Sequence, residues 1–121
     1  MAYKSHNWTR GTARGRVRLP GTMNKTEERY AAELELRLRV GEILWYRFEG
    51  TKLRLADKTF YTPDFAVMRA DNVLEMHEVK GYWMDDAKVK IKVAAAEYPF
   101  IFRAFSVRPK RDGGGWKEET F

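Results

Sequence analysis

A chain of 121 residues, 44% apolar and 14% aromatic, has room for one compact domain with a modest core. It has no cysteine and only His6 and His77 as histidines, which excludes a disulfide framework or thiolate zinc site and makes a histidine-rich metal cage implausible. The net charge of +6 sits mostly at the start: residues 1–23 hold Lys4, Arg10, Arg14, Arg16 and Arg18 and no acidic residue.

Residues 1–23 read as a basic, flexible arm, because Gly11, Gly15, Pro20 and Gly21 break any amphipathic helix there. Such an arm suits a phosphate backbone; the plainer reading is a solubilising tail. Asn24 or Thr26 can cap a helix with its body at 27–40, ended by Gly41, with Tyr30, Ala31, Leu34 and Leu38 as its buried stripe. Residues 43–48 are rich in strand formers, Glu49-Gly50 supplies a turn, and 52–55 alternates like a half-buried strand. Residues 60–68 read as one further strand entered through Pro63, and 73–80 returns antiparallel after a turn at Asp71-Asn72. Asp85 or Asp86 then caps a second helix through Glu97, with Ala87, Ile91, Ala94, Ala95 and Tyr98 on its apolar face. Pro99 stops it, and 100–107 is the last clear strand. Residues 108–121 read as a Gly-rich tail in which Trp116 either docks or stays mobile. The expected fold is an α/β sandwich with a central mixed sheet of four to five strands flanked by two helices. No apolar run reaches membrane-spanning length and the start lacks a signal-peptide core, so a soluble, cytoplasmic protein with no membrane partner is the expectation.

The chemistry is expected where the third strand pairs with its neighbour. Glu78 and Lys80 are two residues apart, so their side chains share a face roughly 6.5–7 Å apart along the strand. The hairpin brings Asp64 near Glu78. Two carboxylates about 4 Å apart repel by on the order of 4 kcal/mol at an effective dielectric near 20, so either one takes a proton or a divalent cation neutralises both. Oxygen ligands favour Mg²⁺, with Mn²⁺ able to substitute, and the main-chain carbonyl of Val79 is a candidate further ligand. Lys80 would stand beside the scissile phosphate or the attacking water, as a point charge or a proton acceptor.

The run Tyr61-Thr62-Pro63-Asp64-Phe65, followed by His77-Glu78-Val79-Lys80-Gly81, resembles the signature of the PD-(D/E)XK (restriction-endonuclease-like) nuclease superfamily, most of all its small phage-encoded domains. The likeness covers roughly residues 24–107. It implies a restriction-endonuclease-like core in which Asp64 and Glu78 are metal ligands and Lys80 is catalytic. It also implies a further carboxylate from the first helix. The helical wheel favours Glu27 over Glu28, because Glu27 shares the stripe of Tyr30 and Leu34; otherwise Glu27 is only a favourable charge on the helix dipole. A polar residue on the second helix is similarly implied, with Lys88 preferred to Lys92, unless these lysines are a plain solvated face. The expected function is Mg²⁺-dependent endonucleolytic hydrolysis of DNA, selective for branched or structured DNA in phage recombination or replication. Arg10, Arg14, Arg16, Arg18, Lys88 and Lys92 are its candidate DNA contacts, and a homodimer is expected by analogy. The alternatives are a non-catalytic nucleic-acid-binding module or an interaction subunit of a larger nuclease complex. His77 points to the opposite face from Glu78 and reads as structural.

Overall fold

The computed structural model describes residues 21–81 and 85–121; the arginines of the basic arm lie outside the described residues. The chain is α/β, with a mixed five-stranded sheet and a helix on each face. Helix α1 (Lys25–Arg39) opens at Asn24, whose side chain accepts from the Glu27 N–H at 2.8 Å while the Glu27 carboxylate accepts from the Asn24 N–H at 2.9 Å. This reciprocal capping satisfies two donors that a helix start otherwise leaves open.

Strand β1 (Ile43–Phe48) follows, then β2 (Leu53–Ala56) and β3 (Thr59–Tyr61). Strands β4 (Phe65–Arg69) and β5 (Leu74–Val79) form the expected hairpin, its turn carrying Asn72 at φ 68°. Helix α2 (Asp85–Glu97) crosses over to β6 (Ile101–Val107), which runs parallel to β5. The strand order is β1-β4-β5-β6-β7, so β5 is the middle strand.

One expectation is corrected, and the sheet adds three further features. Residues 60–68 are not one strand: Thr62, Pro63 and Asp64 separate β3 from β4, and Asp64 stands just before β4. Strands β2 and β3 pair only with each other in a two-stranded sheet. The Asp64–Glu78 site lies at the end of the central strand β5. The Gly-rich tail docks, because Trp116–Thr120 forms β7, antiparallel to β6. Gly113, Gly114 and Gly115 all have positive φ, a turn that residues with a Cβ would make only under strain.

Two cores flank the sheet. Tyr30 and Leu34 of α1 pack on Ile43, Phe65, Val67, Val79 and Phe105. Ile91 and Ala94 of α2 pack on Leu53, Tyr61, Ala66, Met76 and Phe102, so the small hairpin shares the α2 layer. A bulge between Ile43 and Trp45 sets the face of β1. The extra residue, Leu44, lets Ile43 share the α1 side with Tyr46 and Phe48, which a regular alternation would place opposite. No helix among the described residues is long and apolar enough to cross a membrane.

Ile91 is fully buried between α2 and the β2–β3 hairpin. Ile91→Ala should therefore destabilise the fold by about 2–5 kcal/mol, measured by urea unfolding. A loss below about 1 kcal/mol would contradict this packing.

Candidate functional site

Strand β5 is buried along most of its length yet carries Glu75, His77 and Glu78. Buried charge is the informative exception in a core, and alternation sends these groups to opposite faces. On the α1 face, Glu75 accepts from His77 Nε2 at 2.7 Å, from Arg103 Nε and Nη2 at 3.1 and 3.2 Å, and from Arg69 Nη1 at 3.2 Å. Burial acts to raise the Glu75 pKa, but the hydrogen bonds from His77 and Arg103 outweigh it and pull the pKa down to about 2. An ionised carboxylate only accepts, so His77 carries its proton on Nε2, and its Nδ1 accepts from the Tyr30 hydroxyl at 2.7 Å. Burial depresses the His77 pKa and keeps the ring neutral. His77 thus ties α1 to the sheet, in keeping with its structural reading.

The α2 face differs. Glu78 is 6% exposed. Its Oε1 accepts from the Tyr61 hydroxyl at 2.6 Å, and its Oε2 lies 2.9 Å from Lys80 Nζ. Asp64 reaches it for a backbone reason. The β4–β5 ladder ends at the Phe65–His77 pair, and the next inward-facing donor on β5, the Val79 N–H, is taken by Asp64 Oδ2 at 2.8 Å. A strand residue presents its N–H and C=O on the same side, so the Val79 carbonyl also faces the Pro63-Asp64 segment. Proline has no N–H to return to it. A Pro-Asp step opposite this position thereby stops the ladder, anchors a carboxylate, and directs a main-chain oxygen at the same spot.

Glu27 joins this group from α1. It is 4% exposed, whereas Glu28 is exposed, so the helical-wheel choice agrees with the burial. Its charge acts on both Asp64 and Lys80. Its capping role and its place beside the acids are therefore combined. Burial, then the charge of Glu78, and more weakly that of Glu27, push the Asp64 carboxyl up to about 8, against the Val79 N–H and Lys80. For Lys80, burial acts to lower the pKa but is outweighed by Glu78, Asp64 and Glu27, which raise it.

Among the described residues, no three His, Cys, Asp or Glu side chains are already gathered as a metal-binding group. Glu78 is turned to Tyr61 and Lys80, and one Glu27 oxygen to the Asn24 N–H. The donor chemistry nevertheless fits a hard divalent cation, since the oxygens are carboxylates and a carbonyl. The raised pKa of Asp64 reflects burial first and the charges of Glu78 and Glu27 next, which together outweigh the Val79 N–H and Lys80. On α2, Lys88 lies 3.7 Å from Glu119 and lines a cleft with Lys80. Lys92 is exposed and is not part of that lining. Tyr61 is the site residue that sequence reasoning missed, although it stands three positions before Asp64 in the recognised run. Compared with known protein families, curated proteins and solved structures, the chain matches none.

Asp64 has a folded-state pKa of about 8 against 3.8 for the free side chain. A raised folded pKa favours folding at low pH, and that advantage is lost as pH rises from 3.8 through 8. Asp64→Asn cannot ionise and keeps an oxygen acceptor for Val79. In EDTA it should melt several degrees above wild type at pH 8 and above, with the gap closing toward pH 4. Equal melting temperatures across that range would show that burial and the neighbouring acids do not penalise the Asp64 charge.

Proposed function

We propose that the chain is a metal-dependent phosphodiesterase whose site is Asp64, Glu78, Glu27 and Lys80, with the Val79 carbonyl. The more particular reading is a small DNA endonuclease with a restriction-endonuclease-like core, selective for branched or structured DNA. The observation that carries it is the convergence, at the end of the middle strand, of buried carboxylates and a lysine around a carboxyl held far above its ordinary pKa. The order of elements supports it: a helix bearing Glu27, a hairpin bearing Pro63-Asp64 and then Glu78-Val79-Lys80, and a lysine-rich helix crossing to a parallel strand.

In this reading Asp64, Glu78 and the Val79 carbonyl hold Mg²⁺, and Glu27 adds negative charge at the same place. A divalent cation there supplies Lewis-acid polarisation of a phosphodiester. Tyr61 positions Glu78 through its 2.6 Å hydrogen bond. Lys80, kept protonated by the surrounding acids, serves as a cation on the substrate phosphate rather than as a proton acceptor. The absence of any recognisable base-reading element in the sequence favours shape over a long base sequence as the thing recognised.

The direct test incubates the protein with supercoiled, linear and four-way-junction DNA in Mg²⁺ or EDTA. Wild type should cut in Mg²⁺ only. Asp64→Asn and Glu78→Gln should lose cleavage while retaining fold and DNA binding, and Lys80→Ala should slow single-turnover cleavage by at least about 100-fold, within the range of known electrostatic contributions. Equal cutting by wild type and Asp64→Asn sinks the metal-ligand role. DNA binding without cleavage of any substrate favours the non-catalytic binding module instead. Deleting residues 1–20, with their five cations, should weaken binding and flatten its dependence on salt. An unaltered slope would show that the arm makes no phosphate contacts.

A further inference from the structure

We infer that β7 builds a phosphate subsite beside the proposed cutting site, with Lys117 holding a DNA backbone phosphate next to the scissile one. The location rests on the nuclease reading, while the subsite stands on its own geometry. Register places three side chains in one row across the sheet. Val79 pairs with Phe105, and the Lys80 N–H donates to the Phe105 carbonyl, so Lys80 lies level with Ser106. Ser106 pairs directly with Lys117. Val79 and Phe105 face α1, so alternation turns Lys80, Ser106 and Lys117 to the other face. The neighbouring row, Glu78, Ala104 and Glu119, shares that face. The ion pair from Glu119 to Lys88 of α2 confirms the side.

Lys80, Ala104, Ser106, Lys117 and Glu119, with Lys88 of α2, line a cleft of about 510 Å³ at the ends of the parallel strands β5 and β6. Ligands of open α/β sheets bind outside the carboxyl ends of their parallel strands. Lys80 and Lys117 are two strand spacings apart, about 10 Å along the sheet, and their flexible four-carbon stems let the two ammonium groups close that gap toward neighbouring backbone phosphates. The Ser106 hydroxyl lies between them as a donor to phosphate oxygen. The 3.7 Å Lys88–Glu119 pair is on the cleft wall and partly exposed, so it is weak enough for a phosphate to compete for Lys88. The chemistry fits a polyanionic backbone passing from Lys80 over Ser106 to Lys117. It gives β7, which falls outside the resemblance, a role in substrate binding.

The test measures binding of a fluorescent DNA duplex by the full chain in EDTA across a salt series, with wild type, Lys117→Ala, Lys117→Arg and Arg39→Ala. Lys117 is exposed, so its replacement should leave the fold intact. Lys117→Ala should bind about five- to ten-fold more weakly at 0.1 M salt, with the log–log salt slope reduced by about 0.9. Lys117→Arg should restore binding, and Arg39→Ala, at the far end of α1, should match wild type. An unchanged affinity and slope for Lys117→Ala, or a wild type that does not bind the duplex, overturns the subsite. Wild type that shows this Lys117 dependence yet cuts nothing in Mg²⁺ defeats the nuclease reading alone. Cutting by wild type with no Lys117 effect on binding defeats the subsite alone.

Discussion

The site depends on one hydrogen bond, the 2.8 Å contact from the Val79 N–H to Asp64. A strand in the middle of a sheet normally spends all its backbone donors on its neighbours. Here a side chain replaces the neighbouring strand for one residue, and the placement of Asp64 follows from that substitution. It anchors Asp64 against β5, stops β4 from continuing backward past Phe65, and leaves the Pro63 side of the ladder without a donor. Glu78 and Lys80 arrive at the same place by strand alternation, and Glu27 arrives because its helix cap turns it inward.

Glu75 and Glu78 show two different ways in which this fold holds a buried charge. Both are buried on β5, three residues apart. Glu75 meets two arginines and a histidine N–H, and its proton affinity collapses to about 2. Such compensation locks a group in place. Glu78 has one lysine and one hydroxyl, and it shares its surroundings with two further acids. Keeping buried carboxylates together costs stability, and natural folds tolerate such local conflict chiefly at working sites.

Much of this was legible in the residues. Apolar spacing located α1 and α2, a run of strand formers located β1, the Asp71-Asn72 turn located β5, and the Pro99 stop located the start of β6. The acidic cluster was picked out for a different reason: Pro63-Asp64 and Glu78-Val79-Lys80 are uninformative singly, but their order across a hairpin resembles a known signature. Four features were not legible. Strand β7 exposes nearly every side chain, with only Trp116 partly covered, so its sequence carries no alternation to detect. Alternation in residues 52–55 announces a strand but not the partner it selects, and β2 chooses β3 over the main sheet. The bulge at Leu44 is invisible in apolar periodicity because it shifts the phase of a short strand only once. Tyr61 was quoted within a motif but carried no expected role, since its bond to Glu78 exists only after the chain breaks between β3 and β4.

The separate β2–β3 hairpin gives that bond a particular character. Tyr61 sits at the end of a two-stranded ladder and is packed, with Leu53, against α2 through side chains. A short ribbon held this way opens locally at less cost than the five-stranded sheet beside it. Each such opening withdraws a hydroxyl donor from Glu78 and admits water in its place, so the orientation of that carboxylate depends on the breathing of a ribbon that contributes no acid of its own to the site.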